Sequence, residues 1–267
     1  MLEVTHLLLP LLGALWWPFC RSMAMLATAP ALGDAMVPMP VRVLLSVVLS
    51  FLLLPMTKGA AMPDPFSLAG VVVMIEQAVI GGLIGLALQL TMAVMNMLGF
   101  LAASQVGFAM AQINDPINGQ QSDVISALLG LIAMLVFFAI DGHLVLVGVL
   151  AQSFIAWPVG AGIGANAGST AGPMLMQAVA LNVGWVLSAA LLLSLPIVFS
   201  TLVVQFGLGF LNRVAPSLNL YSLGFSLVTL FGLSMLVQIV RFVPEHYVQM
   251  TNQVLEMLQQ QMRMAHG

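Results

Sequence analysis

The chain has 267 residues, 61% of them hydrophobic and only 6% charged, with a mean hydropathy of +1.10. An average soluble domain carries roughly 25% charged residues, so this composition excludes an ordinary water-soluble domain and predicts an all-α integral membrane bundle that folds as one unit over residues 1–267. Six basic against nine acidic residues give a net charge of −3, which leaves no basic surface for nucleic acid.

The N-terminus, MLEVTHLLLP, carries Glu3 where a secretory signal would carry Lys or Arg, and the A-x-A pattern at Ala27 to Ala29 runs directly into Pro30. The mature chain is therefore expected to begin at Met1. Spanning about 30 Å of hydrocarbon takes around 20 apolar residues in a helix. By that ruler a first run covers Leu7 to about Leu32, with Arg21 inside it and Pro10, Pro18 and Pro30 limiting where helix is continuous. Its single cysteine, Cys20, lies among Trp16, Trp17 and Phe19 and reads as packing, since a lone thiol forms no internal disulfide.

A second run, Val43 to Pro55, is short, and a turn at Lys58 to Pro65 follows. The third extends from Leu68 past Gly99, roughly 50 Å as unbroken helix by the 1.5 Å rise, longer than any bilayer core. Gly81, Gly82 and Gly85 in it have the spacing of close helix packing, within the chain or against another subunit. Gln89, Asn96, Ser104 and Gln105 are costly against lipid and should face other helices or a water-filled lumen.

A polar segment, Gln112 to Asp123 (QINDPINGQQSD), then interrupts the apolar chain. Residues 77 to 114 contain no Asp, Glu, Lys or Arg, and apart from Asp141 none occurs from 124 to 212. Asp115-Pro116 and Asn118-Gly119 are successive turn signals, so the segment should be a loop. An ordinary surface connection would satisfy those signals. The preceding stretch, Gln105 to Gln112, mixes Gly, Ala, Val, Met, Phe and Gln, which lines a constriction better than it spans lipid and favours a functional loop.

The fourth run, Val124 to Trp157, has Asp141-Gly142-His143 at its centre, a hairpin turn or helix break with the Asp141 carboxylate expected to cap the following helix. The same pair could instead serve a proton relay, because an acid in an apolar bundle is a functional candidate. A Gly-rich loop from Pro158 to Pro173 leads to the fifth run, Met174 to Leu211, with Pro196 as an expected kink, and the sixth covers Tyr221 to Val240. Neither loop flanking the fourth run holds a Lys or Arg, so the positive-inside rule orients nothing. The last segment, Glu245 to Ala265, sets Tyr247, Met250, Val254, Leu258 and Met262 on one helical stripe, which must bury against a partner helix or the membrane interface.

Nucleophilic or metal-assisted chemistry needs a base near a nucleophile or clustered ligands. His6, His143, His246 and His266 are far apart, no Cys-x-x-Cys or His-x-x-Glu-His pattern exists, and Ser169 has no acid or His beside it. No enzyme activity, metal or cofactor is expected.

Several blocks together resemble one family. Arg21-Ser-Met-Ala-Met-Leu-Ala-Thr-Ala-Pro30 with Gly33, Pro38, Pro40 and Arg42 is similar to the N-terminal signature of the FliR family of flagellar export-gate membrane proteins. Four further blocks fit in order: Glu76 with Gly82 and Gly85; Gln105-Val-Gly107 through Asp115-Pro116; Gly142-His143 with Ser153-Phe154 and Pro158; and Asn212-Arg213-Val-Ala-Pro216 with Asn219 and Gly224-Phe225. Ser226, Ser217 and Asp141 depart from residues frequent in that family.

The resemblance implies a helical-hairpin protein of the bacterial inner membrane and flagellar basal body. It would assemble with FliP and FliQ into a protein-conducting gate contacted by FlhB and FlhA and passing exported flagellar proteins. It further implies a FliP-like part over about 1–210 and a FliQ-like hairpin over about 211–267. The loop comprising Met110, Gln112, Ile113, Asn114, Asp115, Pro116, Ile117, Asn118, Gly119, Gln120, Gln121 and Ser122 would act as a plug in the lumen, with Gln105, Gly107 and Phe108 lining it. Arg21, Arg42, Glu76 and Arg213 would contact other subunits. Other readings stay open: an injectisome gate subunit, a scaffold that only nucleates the gate, or an ion-coupled transporter using Asp141 and His143.

Overall fold

A computed structural model of the chain describes residues 2–33, 37–57, 63–106, 124–160, 171–214 and 220–266. Eight α-helices occur among the described residues: α1 (Leu2–Thr28), α2 (Met39–Leu53), α3 (Leu68–Val106), α4 (Val124–Ala139), α5 (Gly142–Ala156), α6 (Ala171–Val214), α7 (Leu220–Val240) and α8 (Val243–His266). No strand is found among them, as an apolar chain in lipid requires of an open fold.

The helix bounds follow from local chemistry. Helix α1 continues through Pro10 and Pro18 and stops short of Pro30, so the two inner prolines limit it less than expected. It ends where Ala31 turns left-handed, at φ 63°, and the Gly33 amide donates back to the Ala29 carbonyl at 2.9 Å. A side chain on Gly33 would collide with the Ala27 carbonyl oxygen at 2.6 Å, so that turn needs glycine. Helix α2 opens on Pro38 with Pro40 in its first turn, where a missing amide costs nothing. A 3-10 turn over Leu54–Thr57 lengthens it, making a 19-residue apolar stretch from a run that looked too short to span.

Helix α3 is unbroken over 39 residues, roughly 60 Å at 1.5 Å per residue. Helix α6 likewise continues through Pro196. By length and composition, three stretches among the described residues are able to cross a membrane: Met39–Thr57, Leu68–Val106 and Ala180–Val214. The number rises to five if α4 with α5, and α7 with α8, each count as one broken span. The chain is a membrane protein.

Two compact units divide the chain. The first comprises Met1–Leu90, Phe138–Val183 and Thr251–Gly267. Its core holds Trp17, Met25, Ile80, Ile84, Leu146 and Leu150, all at most 1% exposed. Here α1 meets α3 through glycine. A Cβ on Gly81 would sit 2.1 Å from the Arg21 carbonyl oxygen, and one on Gly85 would sit 2.4 Å from that of Met25. A Cβ on Gly82 would meet nothing within 4 Å, but the Gly82 carbonyl accepts the Thr28 hydroxyl at 2.9 Å. These glycines therefore serve contacts inside the chain. Serines tie α1 to α2, with Ser22 Oγ 3.3 Å from the Ser46 carbonyl and 3.5 Å from Ser50 Oγ.

The second unit comprises Thr91–Phe137 and Gly184–Met250. Helix α4 buries Ile125, Leu129, Ala133 and Phe137, one face at intervals of four. It lies against the C-terminal half of α3, where a Cβ on Gly99 would come within 2.4 Å of Ser126 Cα and one on Gly130 within 2.7 Å of Asn96 Oδ1. Ser126 Oγ donates to the Asn96 carbonyl at 2.9 Å. The apolar stripe of α8 is buried by the chain itself, Tyr247, Met250, Val254, Leu258 and Met262 each being at most 8% exposed.

Candidate functional site

The central loop residues Met110, Gln112, Ile113, Asn114, Asp115, Pro116, Ile117, Asn118, Gly119, Gln120, Gln121 and Ser122 lie outside the described residues, as do Gly107 and Phe108. What the structure describes is the pair of helices bearing the segment: α3, described to Val106, and α4, from Val124. Both belong to the second unit at those ends. The Ser126 to Asn96 bond and the glycine contacts at Gly99 and Gly130 hold α3 and α4 side by side.

Gln105, expected to line a lumen, is half-buried, and its Oε1 accepts the Thr201 hydroxyl of α6 at 3.2 Å. Thr201 is itself fully buried, and its one hydroxyl proton is shared between Gln105 and the Ile197 carbonyl, which lies 2.9 Å away. Val106 is 0% exposed, and its carbonyl accepts the Thr229 hydroxyl of α7 at 2.9 Å. Among the other polar residues of α3, Ser104 is exposed and bonds back to the Leu101 carbonyl at 2.7 Å. Asn96 is exposed and faces α4 through its backbone and its Oδ1.

A polar cluster in the first unit centres on Arg21. Its guanidinium is 0% exposed. Nε donates to Gln77 Oε1 at 2.8 Å, Nη1 to Ser153 Oγ at 3.1 Å and Nη2 to the Trp157 carbonyl at 2.8 Å. The charge also stands 4.0 Å over the centre of the Phe154 ring, a distance at which the negative π face attracts a cation. Glu76, 9% exposed, adds an attractive charge. One side chain thus joins α1, α3, α5 and the turn after α5. The fork of the guanidinium reaches three divergent acceptors that no single ammonium could serve.

The cluster holds more donors than acceptors, since Gln77 Nε2 and the Trp157 indole N–H are buried with no acceptor among the described residues. The sequence pointed to Arg21 as a subunit contact, and the structure occupies its guanidinium within the chain. Of the other three candidates, Arg42 is half-buried and Glu76 buried, and neither lacks a partner. Arg213 is exposed in the last turn of α6, where a cation complements the helix dipole.

At the break between α4 and α5, the expected carboxylate cap on Asp141 is absent. Asp141 is left-handed, at φ 55°, and makes no side-chain cap bond, because a capping side chain needs its residue in the extended region to reach the first-turn amides. Its backbone does the work: the amide donates to Phe138 O at 3.1 Å and the carbonyl accepts from Leu144 at 2.9 Å. The His143 ring packs 5.6 Å from that of Phe138, and its Nδ1 is buried with no partner among the described residues. No bond joins Asp141 to His143 among them. No group of three metal-ligating side chains occurs among the described residues either.

Residues 12–254 match the family described as bacterial export proteins, family 1. The chain is 32% identical over 246 residues to the flagellar biosynthetic protein FliR of Pectobacterium carotovorum subsp. carotovorum, covering 91% of this chain and 90% of that protein. It is 30% identical over 237 residues to the flagellar biosynthetic protein FliR of Escherichia coli (strain K12), 88% of each. To the surface presentation of antigens protein SpaR of Salmonella typhimurium it is 27% identical over 183 residues, 68% of this chain and 65% of that protein.

Proposed function

The chain belongs to the bacterial export proteins, family 1, as a member of the FliR family, and we propose that it is one subunit of the flagellar type III protein export gate. In this reading it forms, with FliP and FliQ, a protein-conducting pore across the bacterial inner membrane at the flagellar basal body. FlhB and FlhA adjoin the pore, and exported flagellar proteins are its substrates. Residues 1–210 act as the FliP-like part and 211–267 as the FliQ-like hairpin. The observation that carries the proposal is the match to flagellar FliR proteins over about nine-tenths of the chain. The likeness to SpaR covers less of both chains at lower identity, which favours the flagellar over the injectisome system.

The loop from Met110 to Ser122 seals the pore until substrate arrives, and Gln105, Gly107 and Phe108 border it. Supporting this role is the polar composition of the loop between stretches, 77–106 and 124–139, that hold no charged residue, carried on a pair of helices, α3 and α4, pinned through Ser126, Asn96 and two glycines. Functional loops gain precision from such scaffolds. Arg42, Glu76 and Arg213 supply subunit contacts, with Arg213 the most exposed of them.

Native mass spectrometry of the tagged chain, purified in mild detergent from cells also expressing FliP and FliQ, tests the assembly. The expected result is one copy of the chain held in a larger hetero-oligomer. Recovery only as a monomer or homo-oligomer would overturn the gate reading in favour of a transporter built on Asp141 and His143.

A further inference from the structure

A groove of about 380 Å³ lies within the first unit, between the last turns of α5 and the C-terminal part of α8. Among the described residues it is lined by Gln152, Ile155 and Ala156 of α5 and by Gln259, Met262 and Arg263 of α8. Its volume falls in the range of roughly 300–1,000 Å³ found for ligand sites. Each helix contributes positions i, i+3 and i+4, hence one face, and each face sets a glutamine beside apolar atoms. Helix α5 is held from its other side, where Ser153 and the Trp157 carbonyl bond to the buried Arg21. That wall of the groove is therefore fixed before anything binds.

The polar groups of the groove are not used by the chain. Among the described residues Gln152, Gln259 and Arg263 take part in no hydrogen bond or ion pair. Glu256, the acid nearest to Arg263 in the sequence of α8, is seven positions away, about 10 Å by the helical rise. A guanidinium offers five donors in a planar fork and no acceptor, and each primary amide adds two more donors. Such a set calls for an acceptor bearing negative charge, and the fork matches the two oxygens of a carboxylate. The apolar atoms of Ile155, Ala156 and Met262 suit the aliphatic stem behind it.

We propose that this groove docks an acidic side chain of a partner protein: Arg263 binds the carboxylate, Gln152 and Gln259 donate beside it, and the stem lies on Ile155, Ala156 and Met262. From Thr251 to Arg263 the exposed residues of α8 are Asn252, Gln253, Glu256, Gln260 and Arg263, all polar. That face meets water, and the acyl chains of a lipid would find no apolar surface on it. The proposal uses neither the sealing loop nor the gate reading, so each stands or falls by its own test.

The test uses the full chain in mild detergent, isotope-labelled at its arginine side chains, titrated with the peptide acetyl-Ala-Glu-Ala-amide and followed by NMR. The Arg263 Nε signal, assigned by its loss in Arg263→Gln, should shift saturably, while those of the exposed Arg213 and Arg241 stay in place. The peptide with Gln for Glu should bind at least about tenfold more weakly, the effect of losing a hydrogen bond to a charged group. Gln152→Ala or Gln259→Ala, each removing one neutral hydrogen bond at a position that leaves the helix intact, should weaken binding about threefold to tenfold.

No saturable shift at Arg263, equal shifts at Arg213 and Arg241, or equal binding of the two peptides would overturn the site. Titrations with dihexanoyl phosphatidylglycerol and with inorganic phosphate complete the test. Tighter binding of the lipid than of the peptide would overturn the protein partner in favour of a headgroup, and tighter binding of phosphate would overturn it in favour of a free anion.

Discussion

Both compact units join helices through close glycine contacts and single hydroxyl bonds, and the first adds a buried charge. In the first, a fully buried arginine joins α1, α3 and α5 through three hydrogen bonds and an aromatic face. In the second, the bonds between helices near the central loop are single, neutral and made by hydroxyls: Ser126 to Asn96, Thr201 to Gln105 and Thr229 to Val106. A buried charge fixed at several points is costly to disturb. A lone hydroxyl bond in a membrane protein is worth about 0.6 kcal/mol on average. Among the described residues the charged cross-link thus lies in the unit without the loop, and the bonds beside the loop are all of the weak kind. This division fits the gate proposed above, which needs a rigid frame and a part that yields at small cost.

The largest test of this contrast is Arg21→Met, which strands Ser153, Gln77 and the Trp157 carbonyl and leaves the Glu76 charge without its attraction. A loss of about 3–5 kcal/mol is expected, the usual range for breaking a buried charged pair, read as a lower melting point in detergent. Arg21→Lys should recover little of it, because one ammonium lacks the fork. Near-normal stability in the lysine variant would show that charge alone matters and would weaken the contrast.

Next in size, Gly81→Ala places a methyl 2.1 Å from the Arg21 carbonyl oxygen and should cost about 1–3 kcal/mol by overpacking. Gly82→Ala, facing open space, should leave the melting point unchanged or raise it slightly. Equal effects at the two positions would disprove the close approach of α1 to α3. In the second unit, Thr201→Val should cost only about 0.6 kcal/mol, visible as faster exchange near Gln105 with little change in melting. Arg213→Ala should shift the stability of the isolated chain by no more than about 0.5 kcal/mol, while lowering the yield of assembled gate. An unchanged yield would remove Arg213 from the subunit contacts.

Much of the fold is legible in the sequence because run length and breakers act locally. The long third run, the break at Asp141-Gly142 and the amphipathic end all correspond to helices or helix breaks. The mechanism of that break was not legible: turn composition does not distinguish a carboxylate cap from a left-handed Asp141 whose backbone alone makes the turn. Prolines 10 and 18 mislead for a related reason, since a membrane helix tolerates a proline when neighbours satisfy the freed carbonyls.

The partners of buried polar groups were the least legible. An arginine in an apolar run announces that it must pair, but nothing local says whether the partner is in the chain or in another subunit. Gln77, Ser153 and Trp157, the partners it finds, lie 56 to 136 positions away. Thr201 and Thr229 carried no signal at all, because serines and threonines in apolar helices commonly bond to their own preceding turn, as Ser188 and Ser200 do.

The most direct test of the sealed pore is ion conductance across a planar bilayer holding the purified gate, with the wild-type chain or with Asn114 to Gln120 deleted. The wild-type gate should be silent and the deleted gate should conduct at unchanged subunit mass. A deleted gate as silent as the wild type would contradict the plug.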